Sequence, residues 1–194
     1  MDYGIIIFSI FVILFYIIGK EISDYKWRLK PITQNFPFIY RGKELWYSRS
    51  VATTGFVFCK NSEDKWCILA NQRGNGTPDY QGYWNVPCGY LEYNVSGEEN
   101  IIKEIEEECG ITIPIEKVKF YGVNSSPKEN KQNVSLRYTS VLEGITDDYK
   151  LSSENSEENE VSEIKWVLVE DVDNYDWAFN HLELIKQVFA DIIK

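Results

Sequence analysis

"GYLEYNVSGEENIIKEIEEECGI", from Gly89 to Ile111, decides how the rest of the chain is read. It opens as turn-rich coil and closes as a helix. Ser96 followed by Glu99 has the spacing of a capping box, in which the two side chains satisfy each other's backbone N–H groups. Gly110 is the expected stop, since glycine enters the left-handed conformation without strain. The spacing therefore predicts a helix from about Gly97 to Cys109. On that helix Ile101, Ile105 and Cys109, with Ile102 at the edge, make an apolar stripe that belongs in a core. Glu104, Glu107 and Glu108 fall at i, i+3 and i+4, within about 100° of arc. Like charges so placed repel by ~0.2–0.5 kcal/mol per pair. The crowding becomes favourable when a hard divalent cation sits among them, because Mg2+ takes oxygen ligands, commonly carboxylates together with substrate phosphates. Taken alone, the three glutamates also fit a solvated acidic face.

The whole stretch resembles the signature of the Nudix hydrolase family, G-x5-E-x7-R-E-U-x-E-E-x-G-U, with U a bulky aliphatic residue. Gly89 matches the first glycine, Glu104 the glutamate after the basic position and Ile105 the aliphatic. Glu107 and Glu108 match the paired glutamates, and Gly110 and Ile111 the end. Val95 stands where the family has glutamate, and Lys103 where it has arginine. The flanks agree: "NQRG" leads to "GYWNVPCGYLE", with Cys88 in place of a frequent glycine. "EVSEIKW" (Glu160–Trp166) resembles the family's late strand, and "WAFNHLELI" (Trp177–Ile185) its C-terminal helix. The resemblance runs from about Ser50 to Lys194. It implies a mixed α/β (α+β) fold, a mixed β-sheet sandwiched between helices.

That resemblance also implies chemistry. Glu104, Glu107 and Glu108 would ligate Mg2+ or Mn2+ for attack of water on a phosphorus of a nucleoside diphosphate linked to another group, a pyrophosphohydrolase reaction. Lys103 keeps the charge of the family's arginine but not its forked, bidentate geometry. Glu160 stands where some members supply a further metal ligand from a loop, although its acidic neighbours suit a solvated loop equally well. Glu92 matches a frequently acidic position that could face the metal. Arg73, at a strand end, suits a phosphate-reaching residue or a plain surface arginine. Trp84, with Tyr80, Tyr83 and Tyr138, could stack on a base or fill the core. His181, the chain's one histidine, reads as structural before catalytic. A degenerate domain that binds nucleotides without cutting them is the other reading, and Val95 and Lys103 motivate it.

Outward from this centre, "SVATTGFVFC" (Ser50–Cys59) and "KWCILANQR" (Lys65–Arg73) read as β-branched and aromatic strands around an "NSED" turn. "GNGTPDYQG" (Gly74–Gly82) is a loop on composition. Lys117–Asn124, Asn133–Gly144 and Glu163–Val169 are three more strands, and Ala178–Ile193 has helical periodicity. The polar, acidic stretch Ile145–Glu160 reads as a mobile loop.

The first residues differ in kind. "YGIIIFSIFVILFYIIG" (Tyr3–Gly19) carries no charge and has the length of a short membrane-spanning helix. Asp2 precedes it, and no small-residue cleavage site follows, unlike a signal peptide. Lys20, Lys26, Arg28 and Lys30 lie just after it. The positive-inside rule therefore expects a single-pass anchor with everything downstream in the cytoplasm. The expected organisation is an anchor over 1–19, a juxtamembrane connector over 20–49 and a hydrolase domain over 50–194. A formal charge of −10 argues against a nucleic-acid partner, which calls for a basic face. The four cysteines form no C-x-x-C pair and read as reduced.

Overall fold

The computed structural model describes residues 35–129 and 132–193. The expected anchor over 1–19 lies outside them. Among the described residues no helix is long and apolar enough to cross a membrane. The chain divides into two units between Ser48 and Arg49.

In the first unit the expected connector holds regular structure. Strands β1 (Phe36–Tyr40) and β2 (Lys43–Tyr47) pair antiparallel. Arg41 (φ 49°) and Gly42 (φ 75°) join them. Two consecutive positive φ angles are what a two-residue hairpin turn matched to strand twist demands.

The second unit is built on a seven-stranded mixed sheet. Its strands are β3 (Ser50–Lys60), β4 (Trp66–Arg73), β5 (Trp84–Asn85), β6 (Cys88–Tyr90), β7 (Lys119–Asn124), β8 (Asn133–Ile145) and β9 (Val161–Leu168). β3 and β8 run parallel, and the remaining pairs are antiparallel. Helix α1 spans Gly97–Cys109 and helix α2 spans His181–Ile192. Both faces of the sheet are covered. Phe56, Phe58, Ile68 and Ala70 pack with Leu184, Ile185 and Val188 of α2. Val57 and Leu69 point the other way, onto Ile101, Ile105 and Cys109 of α1. Burial on both faces is why "TTGFVFC" is apolar almost throughout instead of alternating.

One irregularity positions everything that follows. β3 and β4 pair only at Phe58–Lys60 with Trp66–Ile68, and then diverge. The chain fills this fork itself. β5 bonds to the far part of β4, and β6 to the far part of β3. Neither short strand is legible as a periodic run, because Pro87 separates them and each is at most three residues long. The acidic stretch also departs from expectation. Thr146 is buried, Tyr149 and Leu151 pack on the α1 face, and Ser152 N–H bonds Cys109 O at 3.0 Å. These four residues hold a segment whose composition suggests mobility.

Candidate active site

The site starts with α1. Ser96 Oγ accepts from Glu99 N–H (3.2 Å), and Glu99 Oε2 accepts from Ser96 N–H (2.7 Å), which is the expected capping box. Gly110 closes the helix at φ 74°, its N–H bonded to Glu106 O. With both ends fixed and the isoleucine stripe buried, the carboxylates of the intervening turns have defined directions. Glu108 points inward and is buried. Its Oε2 accepts from Cys88 N–H at 3.1 Å, at the fork. Burial raises its pKa well above the ordinary carboxylate value, and the charges of Glu104 and Glu160 add to the rise. Glu104 is half-buried. Burial brings its pKa up to about 7, opposed by Lys103 and assisted by Glu107, Glu160 and Glu92.

Gly89 leaves room for this arrangement. A Cβ there would stand 2.2 Å from the Glu104 carboxylate, a contact no atom pair tolerates. Glu92 and Glu107 meet on Lys103, whose Nζ donates to both at 2.9 and 2.8 Å. These hydrogen bonds raise the lysine pKa. Glu160 arrives from the opposite loop. Gly74 N–H bonds Glu160 O (2.7 Å) and Gly76 N–H bonds Asn159 O (2.8 Å). Each glycine lies against that backbone so closely that a Cβ would come within 2.1 and 2.6 Å of a carbonyl oxygen.

The charges of Glu104 and Glu160 both bear on Glu108, and that of Glu160 on Glu104 as well, with Gly89 and Lys103 beside Glu104. Among the described residues no three acidic, thiol or imidazole groups already stand at ligating distances for a metal ion. The donor chemistry nonetheless fits a hard divalent cation. The set is all oxygen, two of its members are disfavoured as anions by burial, and the nearby lysine is engaged by Glu92 and Glu107.

Other expected residues are placed elsewhere. Trp84 is not a stacking platform. It is buried in the α2-side core, edge-on to Tyr175 at 5.6 Å, with Lys165 Nζ 4.3 Å over its ring. Tyr138 is likewise core, whereas Tyr80 and Tyr83 are exposed and touch edge-to-face. Arg73 is no free surface residue. It donates to Asp79 O (3.0 Å) and Oδ1 (2.7 Å), lies over the Phe179 ring, and lines a cleft of about 520 Å³ with Gly74, Gln81 and Ser162. His181 is buried, and its Nδ1 accepts from Val86 N–H at 3.3 Å. Burial, then Arg73 and Arg137, hold it neutral, with a pKa of about 3.

Three residues of the site escape sequence reading. Asn100 is fully buried on α1. Its Oδ1 takes Glu92 N–H (2.9 Å), while its Nδ2 donates to Thr53 Oγ1 (2.9 Å) and approaches Glu104 Oε1 (3.4 Å). Its place one turn before Glu104 and two before Glu108, on the carboxylate face of the helix, is the signal that could have found it. Asn71 and Asn85 pair across β4 and β5, both buried, and no sequence spacing connects them.

A family model of the NUDIX domain matches residues 49–188, and the chain belongs to the Nudix family, whose members are generally pyrophosphohydrolases. The fold is similar to that of the NUDIX domain of Shewanella oneidensis NrtR, solved in complex with ADP-ribose. The two share 17% identity over 88% of this chain and 97% of that one, with a TM-score of 0.63. A MutT/nudix family protein from Enterococcus faecalis gives 19% identity, coverage of 90% and 69%, and a TM-score of 0.61. A bifunctional NMN adenylyltransferase/ADP-ribose pyrophosphatase from Francisella tularensis gives 20% identity, coverage of 75% and 41%, and 0.57. At these identities the likeness is one of fold. A search of curated proteins finds no match.

Proposed function

We propose that this chain is a divalent-metal-dependent pyrophosphohydrolase that cleaves the diphosphate of a nucleoside diphosphate linked to another moiety. The observation that carries the reading is the pair Glu104 and Glu108, whose carboxyls burial and mutual repulsion raise on a helix fixed at both ends. In this reading Glu104, Glu108 and Glu160 hold Mg2+ or Mn2+, and Glu107 joins them when Lys103 gives it up. A metal there acidifies a water and neutralises phosphate charge. The chain's own part is to fix the carboxylates, to keep the space at Gly89 open and to bring up Glu160 on its clamped loop. ADP-ribose in the Shewanella relative makes nucleoside diphosphate sugars the first substrates to try. Turnover should require Mg2+ or Mn2+ and vanish in excess chelator, and turnover that persists there would end this reading.

One observation favours the alternative, a nucleotide-binding domain of little activity: Lys103 Nζ sits on Glu107 at 2.8 Å, so metal and lysine compete for it. An inactive natural chain beside an active Lys103→Arg, Val95→Glu double variant would establish that alternative. For the apolar run Tyr3–Gly19 we propose a single membrane anchor with the hydrolase domain in the cytoplasm. Protease added to intact cells should then leave the domain whole, and its digestion would reverse the orientation.

A further inference from the structure

The sheet face opposite α1 holds a guanidinium that the fold leaves short of partners. Arg137 lies mid-β8, in register with Thr54 of β3 and Gly122 of β7. Its side chain is only 13% exposed, and its ionic neighbour is Glu129 Oε2 at 3.9 Å, beyond hydrogen-bond reach. That same oxygen already accepts from Asn124 Nδ2 (2.6 Å) and Asn180 Nδ2 (3.2 Å). Among the described residues the guanidinium makes no hydrogen bond, and Nε is buried without an acceptor. Arginine offers five donors in a rigid fork, and a buried cation without acceptors is costly. Burial disfavours the guanidinium's charged form more than the charges of Glu129 and Tyr121 favour it. Asn180, at the start of α2, gives its amide to Glu129, so α2 begins with no side-chain cap.

We propose that Arg137 anchors an anion subsite for a phosphate group of the substrate other than the diphosphate held at the carboxylates. The fork matches a phosphate's paired oxygens, whereas a neutral ring would leave the charge uncompensated. Thr54 of β3 is in register with Arg137 on one side and with Cys88 of β6 on the other, and Cys88 N–H bonds Glu108. Two strand spacings come to about 10 Å, within the length of a nucleoside diphosphate derivative. The ligand's identity rests on the hydrolase reading, whereas the site's existence does not.

His181 makes the test local, because it is the chain's one histidine and Arg137 acts on it. With the full chain carrying a labelled imidazole, in chelator, inorganic phosphate should shift the His181 ring resonances saturably at constant ionic strength. Arg137→Lys should weaken the phosphate Kd by about tenfold, keeping charge and losing the fork, and Arg137→Met should abolish the saturable shift. A shift that survives in Arg137→Met, an unchanged Kd in Arg137→Lys, or no saturable shift in the natural chain overturns the site. With Mg2+ present, a nucleoside diphosphate sugar bearing an extra ribose phosphate should displace the bound phosphate, and the same compound without it should not. Displacement by both or by neither overturns the substrate assignment. Absence of turnover with phosphate binding intact would count against the hydrolase reading alone.

Discussion

The two helices on the two faces of the sheet are opposites. α1 has a capping box, a left-handed glycine stop and a row of carboxylates that burial and repulsion make reluctant anions. α2 has no side-chain cap; a neutral histidine opens it, and a guanidinium that makes no hydrogen bond among the described residues acts on that histidine. One side collects carboxyls that burial disfavours as anions, and the other holds a buried guanidinium whose nearest carboxylate, on Glu129, stands 3.9 Å away. Thr54 of β3 stands between them, in register with Arg137 on one side and with Cys88 at the fork on the other. The contrast teaches where burial, among the described residues, works against charge: in two small places, of opposite sign, that the fold keeps apart.

The largest expected effect belongs to the α1 side. Glu108→Gln removes the buried carboxylate and should lower metal-supported turnover at least ~100-fold, a few kcal/mol of transition-state stabilisation. A loss below tenfold would make Glu108 a structural acid and erase the contrast.

The two sides should also respond oppositely to pH when metal is chelated. The pKa of Glu104 is raised in the folded chain, to about 7 from 4.5. Its contribution is therefore complete below about pH 4.5 and is lost as pH rises through 7; Glu108 has the same sign. His181 is lowered, to about 3 from 6.5. Its contribution is complete above pH 6.5 and is lost as pH falls toward 3, by up to ~1.4 kcal/mol per pH unit. Denaturant melts across pH should show Glu108→Gln flattening the alkaline decline and His181→Gln the acidic one. Identical profiles for the two variants would break the comparison.

The smallest effect distinguishes the helix starts. Ser96→Ala should cost about 1 kcal/mol of stability, the usual worth of a serine cap. Asn180→Ala removes no cap, since its amide serves Glu129, and should cost less in the same melts. Equal losses would mean that α2 is capped by a bond other than those described.

The same contrast governs what the sequence discloses. α1 is legible because its cap, stripe, carboxylates and stop lie within one continuous stretch, and local spacing is what a sequence displays. The long strands β3, β4 and β8 are legible too, as β-branched and aromatic runs. β5 and β6 are not, because they exist only by filling a fork made by two other strands. Trp84 misleads for the same reason: its position suits a stacking platform, but long-range packing buries it. Arg137 is one arginine in a strand until β3 and β7 pair on either side of it. The hairpin at Phe36–Tyr47 had a local signal, the Arg41–Gly42 pair between aromatic runs, which the basic residues around it obscure.

The clamp between Gly74–Gly76 and Asn159–Glu160 sets rules for how this molecule can drift. Backbone bonds join the two loops at fixed positions, so adding or deleting a residue between Glu158 and Val161 would carry Glu160 out of line with Glu104 and Glu108. Upstream, from Ser153 to Ser156, length can change with less consequence, because the anchors at Thr146, Tyr149, Leu151 and Ser152 lie before it, and Glu157, whose N–H bonds Glu160 Oε2 and whose carbonyl accepts from Glu160 N–H, lies after. Insertions should therefore be tolerated in that four-residue window and lethal to the site a step beyond it. Either glycine replaced by alanine should act as a length change does, displacing Glu160 from a distance.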